Sequence, residues 1–231
     1  LASEKPVLLA PAMNVSMWED AATQRNVNAL KERGFSVVEP AAGALACGEV
    51  GAGRLAELEN IVETVENLLT PKILLGQKWV VNAGPTVEAW DAVRTMTNRA
   101  TGLLGALLAN AASNAGAQVV LVAGPGTPHS ISGVERCDVE SAVQMQALCE
   151  AKAKGADVFV ATAAVSDYRF AKTSLEKLKR KNNQSLQVEL ESNPDIVASI
   201  ARMVSRPECV VAFAAESQNH IVYAKQKLEK K

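Results

Sequence analysis

Charged side chains follow the apolar run at 158–160 within one short stretch of the chain. Small residues at 161–164 come first, and then Asp167, Arg169 and a lysine-rich run at 177–181. A strand that ends in small residues lets a ligand approach its bare backbone at the carboxyl edge of a sheet. A carboxylate, a guanidinium and several ammonium groups beyond that edge suit a polyanionic substrate with a divalent cation. The pattern therefore predicts a nucleotide site.

A second candidate anion site lies in the loop after the predicted strand 78–82. Gly84, Thr86, Arg94 and Asn98 precede a predicted helix at 101–115, whose first N–H groups are free to bind an anion. An isolated arginine or asparagine is more often a surface ion pair or a helix cap. Both, however, occupy a long loop at the ligand-binding edge, where functional residues concentrate.

This second loop resembles the glycine-rich start of a dinucleotide-binding unit. It contains no G-x-G-x-x-G, and the next strand ends in Gly124 and Pro125, where an acidic ribose-binding residue is expected. An NAD(P)-binding oxidoreductase stays open as an alternative. So does a nucleotide-binding protein without catalytic activity.

The elements that must position these loops alternate along the chain. Beyond position 77 the strands are predicted at 78–82, 118–122, 134–139, 158–160, 185–191 and 209–213, and the helices at 101–115, 141–154, 194–203 and 218–231. Strands alternating with helices of about 10 to 15 residues indicate an α/β fold with a doubly wound, mostly parallel, Rossmann-like sheet. Such a sheet binds ligands at the carboxyl ends of its strands.

The first part of the chain predicts a smaller β-α-β unit. A strand at 7–12, a helix at 19–31 and a strand at 35–38 precede a glycine-rich segment around Cys47, which is typical of a flexible flap, and then a helix at 56–69. The proline and glycine within 70–77 predict a linker between domains at 1–69 and 78–231. A strand so near residue 1 suggests that the chain begins inside a domain.

Composition and charge exclude several classes of protein. Lys plus Arg number 24 against 25 for Asp plus Glu, so the net charge of -1 favours neither a nucleic acid nor an anionic membrane as partner. No apolar run approaches the roughly 20 residues that span a bilayer, and the first residues do not form a signal peptide. We expect a cytoplasmic protein. The four cysteines form no CxxC pair and have no histidine nearby, so neither a disulfide scaffold nor a zinc site is predicted.

Several motifs occur together in one order along the chain. They are PAMN (11–14), ACGEVGAGR (46–54), AGPT (83–86), VRTMTN (93–98), AAVSDYR (163–169), EKLKR (176–180), NPDI (193–196) and FAAE (213–216). This ordered set resembles the bifunctional phosphopantothenoylcysteine decarboxylase/phosphopantothenate-cysteine ligase family of coenzyme A biosynthesis.

For residues 1–69 the resemblance implies the C-terminal part of a flavodoxin-like decarboxylase domain that uses FMN. Met13 and Asn14 would hold the substrate, and Cys47 would return a proton after oxidative decarboxylation. The family's FMN phosphate loop and active-site histidine precede residue 1, so we expect no decarboxylation by this chain alone.

For residues 78–231 the resemblance implies a ligase that uses CTP with Mg²⁺ and forms an acyl cytidylate from 4′-phosphopantothenate before cysteine displaces CMP. Asn98, assisted by Arg94, would act on that intermediate. The implied nucleotide-binding residues are Ala161, Thr162, Ala163, Asp167, Lys177, Asn193, Pro194, Asp195, Ile196, Phe213, Lys227 and Lys231. No metal ligand is assigned. The resemblance also implies a homo-oligomer.

The chain departs from the family's pattern in two places. It reads ATGLLG at 100–105 where the family commonly has SSGKMG, which removes hydroxyls and a lysine but leaves the backbone amides. It also stops at Lys231, short of a further strand that the family would supply, so we expect the ligase domain to be incomplete at that end.

Overall fold

A computed structural model describes residues 4–45, 48–131, 133–179 and 186–213. The chain divides into two compact units between Pro71 and Lys72. Within the described ranges, no helix has the length and apolarity that crossing a membrane requires.

The first unit begins with the predicted β-α-β arrangement. Its elements are β1 (Leu8–Leu9), α1 (Val15–Glu19), α2 (Ala21–Glu32), β2 (Ser36–Val37), β3 (Ala41–Ala44), β4 (Val50–Arg54) and α3 (Leu58–Leu69). β1 pairs with β2 in parallel, and α2 connects them. α2 begins at Asp20, whose carboxylate accepts a hydrogen bond from the Ala22 N–H and so satisfies one of the free donors of the first turn.

The glycine-rich segment that we interpreted as a flexible flap forms a hairpin. β3 pairs antiparallel with β4. The Met13 N–H donates to the Gly53 carbonyl at 2.8 Å, and a Cβ on Gly53 would lie 2.2 Å from the Met13 carbonyl oxygen. Gly53 therefore serves both close backbone approach and a φ of 144°, which residues with a side chain rarely adopt. Cys47 lies outside the described residues.

The second unit holds the large sheet. Its elements are β5 (Lys78–Ala83), β6 (Val87–Ala89), β7 (Thr95–Thr97), α4 (Leu103–Asn114), β8 (Gln118–Ala123), β9 (Val134–Asp138), α5 (Ala142–Ala153), β10 (Val158–Ala161), β11 (Tyr168–Phe170), β12 (Leu190–Ser192), α6 (Ile196–Ala201) and β13 (Cys209–Ala212). Five strands are parallel in the order β9-β8-β5-β10-β13. The doubly wound prediction is confirmed, and the winding direction reverses between β5 and β10, where such sheets bind ligands.

Helices cover both faces of this sheet. Val80 belongs to the apolar cluster that includes α5 and α6, and Val81, the next residue, belongs to the cluster that includes α4. Because successive side chains of a strand point to opposite faces, a continuous apolar strand can supply both cores. Phe159 and Leu121 are fully buried in the two clusters.

Within the described part of the second unit, two small antiparallel strand pairs lie outside the large sheet, and neither pairing was predicted. β6 pairs antiparallel with β7, and β11 with β12. The first is held against the start of α5, because the buried Glu88 carboxylate accepts from the Ala142 N–H at 3.0 Å. The strand predicted at 185–191 is confined to β12 within the described residues, and the helix predicted at 194–203 to α6. The helix predicted at 218–231 lies outside the described residues.

Candidate nucleotide site at the ends of β5 and β10

Asn82, near the end of β5, anchors the chain where it leaves β10. Its side chain is buried, and its Oδ1 accepts from the N–H groups of Thr162 and Ala163 at 2.9 and 3.0 Å. The Thr162 hydroxyl donates to the Asn82 carbonyl at 2.6 Å. The predicted residue Thr162 is therefore part of this anchor. We missed Asn82, although a polar residue near the end of an apolar strand was a usable signal.

Beyond the sheet edge, the two loops run side by side. The Ala164 N–H donates to the Gly84 carbonyl at 2.9 Å, and the Thr86 N–H donates to the Ala164 carbonyl at 3.3 Å. The Thr86 hydroxyl accepts from the Ser166 N–H at 3.0 Å, and Thr86 is fully buried. These bonds fix the backbone of residues 162–166 independently of any ligand.

A cleft of about 550 Å³ opens beside this loop. It brings together these predicted nucleotide-binding residues: Ala161, Ala163, Asp167, Asn193, Pro194, Asp195, Ile196 and Phe213. Arg202, which we did not predict, also lines it. The volume suits a small-molecule ligand.

Asp167 offers a carboxylate to this cleft. It is exposed, and within the described ranges its side chain has no hydrogen-bond or ion-pair partner. Phe213 is 54% exposed in the same cleft, so part of its ring is open to a ligand. An acceptor group beside an accessible aromatic ring can recognise a planar base that carries an amino group.

The NPDI residues shape the wall of the cleft. Asn193 donates from Nδ2 to the Ser166 carbonyl at 2.9 Å and accepts from Arg169 at 3.3 Å, so its amide is engaged within the protein. The Asp195 carboxylate caps α6 by accepting from the Ala198 N–H at 3.0 Å. Ile196 is only 3% exposed and belongs to the core. Three of the predicted binding residues thus have structural partners as well.

Asn98 contacts the same loop without lining the cleft. It is exposed, and its Nδ2 donates to the carbonyls of Ala164 and Val165, both at 3.1 Å. No described residue donates to its Oδ1. The two bonds from Nδ2 therefore orient the side chain, and its Oδ1 is available to accept a hydrogen bond from a ligand.

Arg94 and Lys177 lie in a separate cluster. Arg94 is bonded to the buried Asp91 and donates to the Leu178 carbonyl at 2.8 Å, which brings it beside the segment that carries Lys177. Lys177 itself is exposed. The predicted residues Cys47, Lys227 and Lys231 lie outside the described residues.

The glycines around the start of α4 serve packing. Gly84 has a φ of 80° and Gly102 a φ of 70°. A Cβ would lie 2.1 Å from the Thr127 Oγ1 if added to Gly84, and 2.5 Å from it if added to Gly102. Thr127 is only 6% exposed, so the turn that carries it occupies the space next to both glycines. In a dinucleotide-binding unit that space receives the pyrophosphate. This observation disfavours the oxidoreductase alternative.

Two glycines lie at the start of α4. Gly102 and Gly105 open α4, and the β6–β7 hairpin separates them from Gly84. A Cβ on Gly105 would lie 2.4 Å from the Ala83 Cβ, so this glycine lets α4 approach β5 closely.

The described cysteines differ in their burial. Burial raises the pKa of the Cys149 thiol to about 12, although a hydrogen bond with Asn82 opposes that shift. Burial also raises the pKa of Cys137. Cys209 is exposed. Among the described residues, no group of three or more histidine, cysteine or acidic side chains could hold a metal ion.

In the first unit, the substrate-binding prediction falls on residues that already have partners. The Asn14 Oδ1 accepts from the Met17 N–H at 3.1 Å, and its Nδ2 donates to Glu49 at 2.8 Å. The Met13 N–H is bonded to Gly53, as described above. The amide that we expected to face a carboxylate ligand is bonded to the protein at both ends.

The fold and the site together define a doubly wound α/β domain with a ligand cleft at its switch point. Among such proteins, the chain belongs to the family described as "DNA/pantothenate metabolism flavoprotein C-terminal domain", whose family model matches residues 74–231. A second family model, "Flavoprotein", matches residues 1–70.

Named relatives agree with this membership. The chain is 44% identical to the coenzyme A biosynthesis bifunctional protein CoaBC of Vibrio cholerae serotype O1 and covers 58% of its length, with all of this chain aligned. It is 39% identical to the CoaBC of Escherichia coli strain K12, with 98% of this chain and 57% of that protein aligned. A crystal structure of the C-terminal domain of a CoaBC is 35% identical, with a TM-score of 0.59 over 67% of this chain and 72% of that one.

Proposed function

We propose that this chain carries a CTP-dependent ligase of coenzyme A biosynthesis that joins 4′-phosphopantothenate to cysteine. The chain's membership of the family supports the proposal, and so does its sequence identity of 39% and 44% to two proteins named CoaBC. The observation that carries it is the cleft at the switch point, which is lined by both Phe213 and the Asp167 carboxylate, a group without a side-chain partner among the described residues. In this proposal, residues 78–231 form the ligase domain and 70–77 the linker.

Base recognition falls to the cleft. The Asp167 carboxylate would accept a hydrogen bond from the cytosine amino group, and Phe213 would pack against the ring. Uridine presents a carbonyl at that position, so a carboxylate there selects against it. Ala161 and Ala163 leave room for the base because their side chains are small.

The first transfer forms a bond between the substrate carboxylate oxygen and the α-phosphorus of CTP while pyrophosphate leaves. The catalytic problem is to bring two anions together, so cations must neutralise them. Lys177 and Arg202 are the described candidates, and Lys227 and Lys231 join them in the proposal. Mg²⁺ would enter with the nucleotide phosphates, as it commonly does.

In the second transfer, the amine of cysteine attacks the acyl carbon, the amide forms, and CMP leaves with the carboxylate oxygen. The Asn98 Oδ1, to which no described residue donates, is a suitable acceptor for an N–H of that amine, because Nδ2 is already bonded to the loop at 164–165. We propose this positioning role for Asn98. Arg94 would assist through its contact with the Lys177 segment.

We further infer that residues 1–69 are part of an FMN-dependent decarboxylase domain, with Cys47 as the proton donor. The match to the flavoprotein family supports this inference. The described residues of this unit do not present Asn14 to a ligand, because its amide is bonded to Met17 and Glu49. That observation concerns the predicted substrate contact alone, and we derive no flavin step from the described residues.

The proposed function is tested by adding the substrates in two stages. With CTP, Mg²⁺ and 4′-phosphopantothenate, we expect up to one equivalent of pyrophosphate per site, because the acyl cytidylate stays bound. After cysteine is added, CMP and the cysteine amide should accumulate with turnover. Absence of pyrophosphate release would contradict a ligase; CTP binding without release would support the non-catalytic alternative.

A further inference from the structure

Asp91 forms the centre of a hydrogen-bonded cluster whose residues do not line the cleft. The residue is 4% exposed. Its Oδ1 accepts from the N–H groups of Val93 and Arg94 at 2.9 and 2.8 Å. Its Oδ2 accepts from the Arg94 Nε at 2.9 Å, from the Arg94 Nη2, and from the Leu178 N–H at 3.0 Å. One carboxylate thus joins the loop before β7 to a segment far along the chain.

Arg94 extends the same connection. Its Nη2 also donates to the Leu178 carbonyl at 2.8 Å, and its guanidinium lies 4.1 Å from the centre of the Trp90 ring. The Trp90 carbonyl accepts from the Ser174 N–H at 3.1 Å, and its ring stacks on Phe170 at 5.7 Å. The segment 174–178 is therefore bonded to the loop 90–94 at both of its ends.

Apolar burial does not hold this segment. Leu175 is 98% exposed, and Leu178 is 43% exposed. Among the described residues, its backbone is fixed by hydrogen bonds that Asp91 and the Trp90 carbonyl accept and that Arg94 donates. Arg94 holds the pKa of Asp91 well below the ordinary aspartate value, so the carboxylate stays ionised and able to accept at neutral pH.

We propose that Asp91 is a positioning residue that fixes the segment 174–178 and thereby sets where the Lys177 ammonium group stands when nucleotide binds. The effect on nucleotide binding rests on the proposed function, in which Lys177 faces the CTP phosphates. The attachment of the segment 174–178 to Asp91 does not depend on the proposed function. Without Asp91, the segment must become ordered during binding, and this cost weakens binding.

The attachment is tested in the ligand-free chain by hydrogen exchange. Asp91→Asn replaces one carboxylate oxygen with an NH₂ group, which cannot accept a hydrogen bond. At least one of the N–H donors that now bond to Asp91 therefore loses its acceptor. We expect the Leu178 amide to lose protection by about tenfold or more. Glu135→Gln is the matched control, because Glu135 is also an ion-paired carboxylate of this unit, bonded to Lys152. Unchanged protection at Leu178 in a folded Asp91→Asn chain would overturn the proposal. Arg94→Lys supplies a second variant if Asp91→Asn does not fold.

The effect on function is tested by a double-mutant cycle with Lys177→Ala. Asp91→Asn should raise the KM for CTP about tenfold and leave kcat within about threefold, since it disturbs positioning and not the reacting atoms. In the Lys177→Ala background, the same change should leave KM nearly unaltered. Independent, additive effects would contradict action through Lys177. A chain that shows the exchange effect but no CTP turnover would contradict the proposed function and leave the attachment intact.

Discussion

Replacing Asn98 with aspartate is expected to leave pyrophosphate release within about tenfold of the parent chain while slowing amide formation by about a hundredfold. The aspartate carboxylate is repelled by the carbonyls of Ala164 and Val165, so it turns away from them and displaces the acceptor that positions the amine. The loop itself stays in place, because Asn82 and Thr86 hold it through separate hydrogen bonds. The measurement is the two-stage assay described above.

A control substitution separates this effect from a general loss of stability. Asn110→Asp changes the same side chain on α4, where the Asn110 Oδ1 accepts from the Ile131 N–H at 3.1 Å, a bond that aspartate can keep. Both transfers should proceed normally in this variant. If Asn98→Asp reduced pyrophosphate release as strongly as amide formation, the role proposed for Asn98 would be wrong.

Replacing Gly84 with alanine is expected to lower the free energy of unfolding of the second unit by about 3 to 5 kcal/mol, or its Tm by about 10 °C. The new Cβ would lie 2.1 Å from the Thr127 Oγ1, at a φ of 80° that alanine adopts only with strain. Thr127 cannot easily move, because its hydroxyl donates to the Gly124 carbonyl at 2.7 Å and the residue is buried. Thermal unfolding followed by circular dichroism measures the change.

Gly126 provides the matched control for this prediction. Its φ is 76°, but a Cβ there would meet no atom within 4 Å, so Gly126→Ala should cost only about 1 kcal/mol of backbone strain. Adding Thr127→Ala to Gly84→Ala removes the colliding hydroxyl, and the combined cost should fall below the sum of the separate costs. Equal losses in Gly84→Ala and Gly126→Ala would show that the two loops do not pack as described.

The sheet could be predicted because its strands are buried on both faces. In β8, Val119, Leu121 and Val122 are each at most 3% exposed, and this apolar run marks a strand without knowledge of its neighbours. The two small antiparallel strand pairs could not be predicted in the same way. The three residues of β7 are Thr95, Met96 and Thr97, which are largely accessible, and their pairing with β6 depends on contacts across a loop.

The site residues could be predicted where a sequence motif contains them. They could not be predicted where a residue bonds to a segment far away in the sequence. Asp167 and the NPDI residues follow strands of the predicted sheet and resemble a family pattern, and the cleft brings them together. Asn82 and Asp91 were missed. Each bonds to backbone groups about 80 positions away in the chain, at Thr162 and Leu178, and no local spacing records such a pairing.

The central claim is that the cleft beside Asp167 is a cytidine nucleotide site, and equilibrium binding tests it most directly. Titration calorimetry of the chain with CTP, UTP, ATP and NADPH in the presence of Mg²⁺ should show CTP bound about tenfold or more tightly than the others. Asp167→Ala should remove most of the preference for CTP over UTP, because the acceptor for the cytosine amino group is lost. Saturable NADPH binding with no preference for CTP, or a preference that survives in Asp167→Ala, would contradict the claim.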